Sequence, residues 1–414
     1  MRFLIQLAWK NLLRHKKRTA ITCIAIAMGI GMLIWFDSSL RWADEESQRN
    51  LKKFEFGNFL IGKSDYIKDR DNLPLDSLLS QKDVATLMLI AGKNSLNSCK
   101  RTLFRSSVSH NRGYGLPYMV VAIEPGADTE VYHVNEHMVE GAYLTEGVRG
   151  CMISTSIKKD LKASLGDTLS IFTKTPYETR QLIRIKVAGI FDVPDPIVQS
   201  SYVFIPASVA DRELQVEGRA GEVVFKTPSG ENEPYLSKTM ADVKDIYGDA
   251  FDVATWQELG HEYFSMSQTK KGGSFTMLLF MFIIIAVGII NTMLMAVLER
   301  IREIGMMRAL GMKDSRIIWA FVFEAFGIGL IGSLAGIMFG ILLDLHLIYF
   351  GLDFTFLLQG QDIGYRTGTV FHGVWNVDMM IIGCLFAIAC SVLVAIIPAR
   401  KAVKMEITEA VREK

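Results

Sequence analysis

Four long apolar windows divide the 414-residue chain, at Ala20–Phe36, Phe275–Leu298, Ile317–Leu343 and Met379–Ile397. An α-helix rises about 1.5 Å per residue, so roughly 20 apolar residues cross the hydrocarbon core of a membrane. Charged residues are sparse inside these windows and dense between them. The pattern predicts a membrane α-helical protein with four transmembrane helices and a large extracytoplasmic α+β domain inserted between spans 1 and 2.

Basic residues flank the windows on one side of this even-numbered topology. They are Lys10, Arg14, Lys16, Lys17 and Arg18 before the first span, Arg300, Arg302, Arg308, Lys313 and Arg316 between the second and third, and Arg400, Lys401 and Lys404 after the fourth. The positive-inside rule then predicts that both termini are cytoplasmic and that 37–273 lies outside. No small-x-small cleavage site follows the first span, which we interpret as an uncleaved anchor. A net charge of +1 gives no reason to expect nucleic acid.

The segment before the first span carries polar residues at every fourth position, namely Arg2, Gln6, Lys10 and Arg14. The apolar residues between them are Leu4, Ile5, Ala8, Leu12 and Leu13. This spacing predicts an amphipathic helix lying in the cytoplasmic interface. A plain positive flank, which is the alternative, does not predict such spacing.

The predicted segments follow one another along the chain. They are an interfacial helix at 1–18, transmembrane helix 1 at 19–36, the outer α+β domain at 37–273, transmembrane helix 2 at 274–298, a cytoplasmic coupling helix at 299–316, transmembrane helix 3 at 317–343, a short outer loop at 344–377, transmembrane helix 4 at 378–397, and a cytoplasmic tail at 398–414.

The outer region contains both β-rich and helix-compatible segments. Strands are predicted at Tyr118–Ile123, Thr168–Thr173, Leu182–Ile190, Ser201–Ile205 and Glu222–Phe225. Helices are predicted at Ser38–Lys53, Leu75–Leu89, Ser154–Ala163, Leu236–Tyr247 and Trp256–Gln268. The first and last of these helices are expected to continue spans 1 and 2 outward.

Two short motifs in this region resemble catalytic signatures. Gly57–Ser64, GNFLIGKS, fits the phosphate-binding loop pattern, but Asn58–Ile61 favours a strand, so we do not expect a nucleotide site. His133–His137, HVNEH, fits an inverted zincin pattern, which would need a helix that presents both imidazoles together and a third ligand. No third ligand is identifiable, and the surrounding sequence is typical of a surface helix ending at Gly141. A membrane-anchored metallopeptidase is therefore a distant alternative, and we expect no metal site.

Cysteines and intramembrane residues leave two structural questions open. Cys99 and Cys151 could pair as a disulfide or remain two thiols. Glu324 lies in the first turns of the third span, where a carboxylate needs a partner or water. It either takes part in the transport path or in the transmission of motion, or it pairs with an arginine such as Arg316 or Arg308.

Gly332, Gly336 and Gly340 share one face of the third span and predict close approach of another helix.

The charged segment between the second and third spans is more elaborate than a simple turn. Glu299–Gly311, ERIREIGMMRALG, interleaves apolar residues with Glu299, Arg300, Arg302, Glu303 and Arg308. This pattern is typical of a short amphipathic helix at the membrane surface, suited to a protein partner that pushes on it. The alternative is a solvated loop whose arginines only obey the positive-inside rule.

Several sequence segments together resemble one family. ERIREIGMMRALGMKDSRI, followed by FVFEAFGIGLIGSLAGIMFG, resembles the permease subunits of the FtsX/MacB/LolC–LolE group of ABC transporters. The start LAWKNLLRHKKRTAIT, the tail PARKAVKMEITEAVR and three outer segments around Val121–Leu144, Ile153–Ile171 and Ile185–Pro196 are also similar to members of this group. The resemblance implies an FtsX-like permease domain at 275–410 and a MacB-like periplasmic core. Ile407 departs from the proline that family tails often carry, and the aromatic-rich segment His346–Asp378 is longer than in many members.

The resemblance implies a mechanism and partners. A separate cytoplasmic ABC ATPase dimer would grip Glu299–Gly311, with Arg302, Glu303, Gly305, Arg308 and Gly311 as the coupling positions. ATP and Mg would be bound by that ATPase, and this chain would bind no cofactor. The working unit would hold two permease chains in a bacterial inner membrane. The leading expectation is release of lipoproteins to a periplasmic carrier, and the alternatives are efflux of peptides or small amphiphiles and mechanotransmission to a cell-wall hydrolase.

Overall fold

The computed structural model describes residues 16–404 except 69, 71–74, 112, 229–232 and 359–364, and nearer the N terminus residues 6, 8–10, 12 and 14. The chain divides into two compact units. The membrane unit contains Met1–Ala43, Ser267–Leu357 and Thr369–Lys414. The insert domain contains Asp44–Met266 together with Leu358–Gly368, which comes from the segment between the last two long helices.

Helices make up most of the membrane unit, and further helices lie between the strands of the insert domain along the chain. The α-helices are α1 (Lys16–Asn50), α2 (Ser64–Lys68), α3 (Gln81–Lys93), α4 (Pro125–Val131), α5 (Thr155–Leu161), α6 (Pro196–Ser201), α7 (Ala207–Leu214), α8 (Glu233–Tyr247), α9 (Trp256–Leu259), α10 (His261–Glu299), α11 (Ile301–Ala309), α12 (Asp314–Phe350), α13 (Thr355–Leu358) and α14 (Val377–Lys404). A π-helical turn, Leu51–Phe56, continues α1.

The insert domain is built on one mixed sheet of ten strands within the described part of the chain. These strands are β1 (Phe59–Lys63), β2 (Asn97–His110), β3 (Leu116–Ile123), β4 (Met138–Gly141), β5 (Gly150–Ser154), β6 (Thr168–Lys174), β7 (Arg180–Phe191), β8 (Tyr202–Pro206), β9 (Glu222–Lys226) and β10 (Phe251–Thr255). Their order is β10-β1-β9-β2-β3-β8-β5-β7-β4, and β6 pairs with both β2 and β7. In the membrane unit, β11 (Leu352–Asp353) and β12 (Val370–Phe371) form a short hairpin-like pair.

Six of these strands close into a circuit because β6 bridges β2 and β7. The pairs β3–β8 and β5–β7 are parallel, and the other pairs in the circuit are antiparallel. Alternate residues point into its core, as Leu169 and Ile171 on β6 and Ile183 and Ile185 on β7 show by their burial. Burying one such side chain contributes on the order of 1.5–3 kcal/mol.

A buried ion pair joins β2 to α4 beside this core. Arg101 Nε and Nη2 lie 2.8 and 3.1 Å from the two carboxylate oxygens of Asp128. The guanidinium also stacks over the Tyr132 ring, 3.2 Å from its centroid. Burial raises the pKa of Tyr143 well above its ordinary value, so its hydroxyl stays protonated and donates to Asp128. Every polar group in this cluster therefore has a partner, which a buried arginine requires.

The α+β prediction for the insert is confirmed. Each of the five predicted strands is present, and its ends lie within two residues of the predicted ones. Strands β2, β4, β5 and β10 were not predicted. Helix α3 begins at Gln81 rather than Leu75, because Ser80 and Asp83 form a capping box that fixes its start. β1 includes Gly62 and Lys63, so GNFLIGKS contributes a strand rather than a phosphate-binding loop.

The helix expected over HVNEH is wrong. Val134–His137 is a four-residue 3₁₀ helix, and the next residues leave it to form β4 against β7. His133 contacts Glu136 through Nδ1 at 2.8 Å and Lys226 through Nε2 at 2.7 Å. Among the described residues, no group of three or more His, Cys, Asp or Glu side chains could hold a metal ion.

Both cysteines of the insert domain are buried free thiols. Cys99 lies on β2 near the Asp128 carboxylate, and Cys151 lies on β5 inside the strand circuit. Burial raises the pKa of Cys151 to about 12. Of the two states that the sequence left open, the structure shows the thiol form.

Three helices of the described chain are long and apolar enough to cross a membrane: Thr19–Phe56, Asp314–Phe350 and Val377–Lys401. The predicted second span falls within α10, whose segment Ala286–Glu299 is also apolar. Near the N terminus, Gln6, Lys10 and Arg14 are exposed and helical, whereas Ala8 and Leu12 are buried. Other residues of the predicted interfacial helix, including Arg2, and the tail beyond Lys404, including Ile407, lie outside the described residues.

Candidate coupling site

The segment Glu299–Gly311 forms a short helix between two long ones. α10 ends at Glu299, and Arg300 leaves the helical region with φ −116° and ψ 18° before α11 begins. After α11, Gly311 adopts φ +83°, a left-handed conformation that favours glycine. Bonds from Gly311 N to Arg308 O and from Met312 N to Met307 O, both 3.0 Å, complete a Schellman cap. Gly311 is thus explained by the turn that ends α11.

α11 has one face in the core of the membrane unit and one face exposed. Ile304 is 4% exposed and packs within the core, and Met307 lies against the same core. Met306 and Leu310, four residues apart, are 56% and 88% exposed. Residues four apart lie on the same side of a helix, so these two side chains form one apolar surface directed away from the protein. We call Met306 and Leu310 the α11 outer face.

Arg300 and Glu324 form an ion pair at the corner between α10 and α11. Arg300 Nη1 lies 3.0 Å from Glu324 Oε2, and the two side chains are only 7% and 5% exposed. Glu324 thus pairs with an arginine, as one of the two interpretations predicted, but the arginine is Arg300 rather than Arg316 or Arg308. Arg308 instead pairs with Asp314, Nε to Oδ1 3.2 Å. The break in helical geometry at Arg300 turns its side chain toward α12, which the sequence did not indicate.

The other charged positions are more exposed. Glu299 is the exposed last residue of α10, and Arg302 is exposed on α11. Glu303 lies 3.4 Å from Arg14 at the surface, and such exposed pairs contribute little to stability. Gly305 is buried beside Ile304. A cavity of about 90 Å³ beneath α11 is lined by Arg300, Glu303 and Glu324, so the structure brings these three of the predicted residues together.

The glycine stripe of α12 lies directly against α1. A Cβ atom added at any of the three positions would fall within 3 Å of an isoleucine side chain of α1. The pairs are Gly332 with Ile26 at 2.9 Å, Gly336 with Ile30 at 2.8 Å, and Gly340 with Ile34 at 2.8 Å. The equal spacing on both helices allows a close approach that larger residues would prevent.

Sequence reasoning missed a polar contact between α1 and α10. The hydroxyl oxygens of Thr22 and Thr292 lie 2.6 Å apart and are buried. The Thr292 hydroxyl also donates to the carbonyl of Gly288. Hydroxyl pairs of this kind join helices within a membrane, where water does not compete. The only sequence signal was the presence of threonine in each of the first two apolar windows.

A second site that sequence reasoning missed lies in the insert domain and centres on Arg366. Its Nη1 donates to Asp195 Oδ1 at 2.8 Å, and its Nη2 lies 2.7 Å from Glu55 Oε2. Asp195 also caps α6, accepting hydrogen bonds from the backbone N–H groups of Ile197 and Val198. One arginine from the segment between α12 and α14 therefore neutralises two buried carboxylates.

The backbone of Arg366 is held as firmly as its side chain. Its N–H donates to Ser47 Oγ at 2.9 Å, and its carbonyl accepts from Asn50 Nδ2 at 2.6 Å. Burial lowers the pKa of Arg366, but the charges of Glu55 and Asp195 outweigh this effect and raise it above its ordinary value. These contacts attach Leu358–Gly368 to the insert domain. We call Arg366, Glu55 and Asp195 the Arg366 clamp.

Two families match this chain. The MacB-like periplasmic core domain family matches residues 19–243, more than half of the chain, and the FtsX-like permease C-terminal family matches residues 275–407. The chain therefore belongs to the FtsX-like permeases with a MacB-like periplasmic core domain, and the resemblance seen in the sequence is confirmed.

Three similar proteins are distant in sequence from this chain. An uncharacterised ABC transporter permease of Methanocaldococcus jannaschii is 22% identical over 99% of this chain and 97% of its own length. The lipoprotein-releasing system transmembrane protein LolC of Neisseria meningitidis is 22% identical over 70% of this chain and 72% of its own length. The macrolide export ATP-binding/permease protein MacB of Aggregatibacter actinomycetemcomitans is 22% identical over 78% of this chain, which spans half of that protein. The protein is thus an ABC transporter permease of the FtsX/MacB/LolC family.

Proposed function

We propose that this permease receives force from a separate cytoplasmic ABC ATPase dimer through α11 and uses it to release lipoproteins from the outer leaflet of a bacterial inner membrane. The observation that carries the coupling role is that α11 has one buried face and one exposed face. Ile304 anchors it in the membrane unit, while Met306 and Leu310 present an apolar face to a partner. Members of this family act with cytoplasmic ABC ATPases, which supports that choice of partner.

The Arg300–Glu324 pair supports a path for the force. Arg300 immediately precedes α11, and Glu324 lies within α12. A displacement of α11 would strain this buried pair, because neither charge can be left unpaired at low cost. The pair would therefore make α11 and α12 move together. In this account Glu324 is a positioning residue of the coupling site rather than part of a substrate path.

The lipoprotein proposal draws on the LolC relative, which aligns over most of its own length. The proposed assembly contains two permease chains, identical or paralogous, and delivers its substrate to a periplasmic carrier. Both termini and α11 would face the cytoplasm, with ATP and Mg bound by the ATPase. The macrolide exporter MacB aligns over a comparable share of this chain, so efflux of a peptide or small amphiphile is the second candidate.

Depletion of the protein followed by membrane fractionation separates these functions. Lipoprotein release predicts that mature lipoproteins accumulate in the inner membrane, and that the Met306→Leu variant restores their sorting whereas Met306→Glu does not. Unchanged sorting together with increased sensitivity to amphiphilic toxins would support efflux. Unchanged sorting together with defective cell-wall cleavage would support mechanotransmission. Either of the last two results would overturn the lipoprotein assignment and leave the ATPase-coupling role in place.

A further inference from the structure

An apolar groove of about 390 Å³ runs along the N-terminal half of α1. Its α1 wall is a single stripe that begins at Lys16 and continues through Ala20 to Ala27. Residues four and seven apart lie on one side of a helix, so the small alanines form a trough below the lysine. Ile331 and Ala335 of α12 form the facing wall.

One end of the α1 stripe differs in chemistry from the rest of the groove. The exposed Lys16 begins this stripe, Trp9 also lines the groove, and among the described residues Lys16 makes no ion pair. Tryptophan and lysine are typical of the membrane–water interface, where the ring and the stem contact lipid and the polar ends remain in the headgroup region. A lysine at one end of an apolar trough complements an anionic headgroup attached to an acyl chain.

The length of the groove along α1 is about the thickness of one membrane leaflet. From Lys16 to Ala27 a helix rises roughly 16 Å, about half of the hydrocarbon thickness of about 30 Å. The stripe does not continue as an open groove, because the Phe339 ring packs directly onto Gly31, the next position along the same side of α1. A transmembrane helix from a second copy would need a groove that crosses the whole membrane, whereas an acyl chain needs only this half.

We propose that this groove is a binding site for an anionic phospholipid, with one acyl chain in the trough and the phosphate at Lys16. The site lies at the Lys16 end of α1 and uses none of the residues assigned to α11 coupling. Its occupation would fill the space between α1 and α12 near the end of the glycine–isoleucine contact. The proposal needs only membrane insertion, so it stands or fails independently of the substrate of the permease.

Native mass spectrometry of the detergent-purified full chain, titrated with palmitoyl-oleoyl phosphatidylglycerol, tests the site. Lys16→Ala should weaken the tightest adduct about five-fold, since one lysine near a lipid surface contributes about 1 kcal/mol. The matched control is Lys17→Ala, which removes an exposed lysine that does not line the groove. Ala335→Trp should fill the trough and abolish the adduct, whereas Leu334→Trp, one position away and outside the groove, should retain it.

Four results would overturn the proposal. Equal losses for Lys16→Ala and Lys17→Ala would show that only general surface charge matters. Equal binding of palmitoyl-oleoyl phosphatidylcholine would show that the headgroup charge is not recognised. Oxidative crosslinking of an Ala20→Cys variant into dimers in native membranes, above the level of the unaltered chain, would show that a second copy covers the groove. Retention of the adduct by Ala335→Trp, with unfolding temperature unchanged, would exclude the trough as the acyl-chain site.

Discussion

Arg300 Nη1 and Glu324 Oε2 lie 3.0 Å apart in a buried ion pair that joins the start of α11 to α12 across 24 positions of sequence. The pair lies beside the part of the predicted coupling segment that Ile304 anchors in the core of the membrane unit. Because both side chains are almost fully buried, neither can exchange its partner for bulk water without a large cost. The start of α11 and α12 are therefore electrostatically linked.

Removing the arginine from this pair should strongly destabilise the membrane unit. Arg300→Met leaves Glu324 buried without a countercharge, and loss of one partner of a buried pair costs about 3–5 kcal/mol. The unfolding temperature of the purified chain should fall markedly, whereas Lys313→Met, at an exposed position just before α12, should leave it nearly unchanged. The double exchange Arg300→Glu with Glu324→Arg should recover part of the loss. Equal effects of Arg300→Met and Lys313→Met would mean that the pair is not formed.

Charging the α11 outer face should uncouple the permease from its ATPase without unfolding it. Met306→Glu and Leu310→Glu place carboxylates on exposed positions, so their cost to folding should be within about 0.5 kcal/mol. Stimulation of the ATPase in a reconstituted complex should be lost in both variants. Met306→Leu keeps the surface apolar and should retain stimulation. A Met306→Glu, Leu310→Glu double variant with normal stimulation would show that the ATPase contacts another surface.

The glycine stripe provides a test of helix packing with an internal control. Gly336→Leu would force a side chain into Ile30 and the backbone of Ala27, so α1 and α12 could not keep their spacing. A Cβ atom added at Gly288 of α10 meets no atom within 4 Å, which makes Gly288→Leu the matched control. In detergent, Gly336→Leu should lower the unfolding temperature by several degrees and Gly288→Leu should not. Similar unfolding temperatures for the two variants would contradict the close α1–α12 contact.

The Arg366 clamp should contribute strongly to the stability of the insert domain. Arg366→Met leaves Glu55 and Asp195 buried without their shared countercharge and should cost about 3–5 kcal/mol. Arg366→Lys keeps the charge but loses the planar fork that reaches both carboxylates, so its cost should be intermediate. Limited proteolysis should cleave Arg366→Met near Leu358–Gly368 faster than the unaltered chain. Identical cleavage would show that the clamp does not hold this segment.

The buried thiols should be unreactive in the folded protein. Because Cys151 has a pKa of about 12 and the thiolate is the reactive form, maleimide labelling should be negligible from pH 7 to pH 9 and complete only after unfolding. The sign of the pH effect follows from the raised pKa. The unfolded thiol ionises near pH 8.5, so this contribution to stability is present below that pH and falls as the pH rises toward 12. Labelling of Cys151 in the native protein at pH 7 would contradict its burial.

The sequence predicted elements whose hydrophobic pattern is regular and missed, among others, β2, which contains a buried charge. β2 was not recognised because Arg101 interrupts its apolar pattern, although Asp128 neutralises it in the fold. The start of α3 was recoverable from the Ser80–Asp83 capping box. The spacing of Gly332, Gly336 and Gly340 predicted a close helix contact, but the identity of the partner, α1, depends on tertiary packing.

The helix at the candidate coupling site was predictable in position, but its contacts were not. The charged, helix-compatible segment indicated α11, and the need of Glu324 for a partner was apparent from its depth in a span. The choice of Arg316 or Arg308 assumed that the partner lies nearby along the chain. The helix break at Arg300, whose side chain reaches Glu324 on α12, has no clear signal in the sequence. The Arg366 clamp was missed because its three charged residues lie far apart along the chain and come together only in the fold.

Photocrosslinking from the α11 outer face tests the central claim most directly. A photoreactive amino acid at position 306 or 310 would be activated in native membranes, with Leu334, an exposed residue on a membrane helix, as the control position. The account predicts that both α11 positions crosslink to an ATP-hydrolysing subunit and that the control does not. Crosslinks from position 306 to extracytoplasmic proteins, or none to an ATPase in an active complex, would contradict it.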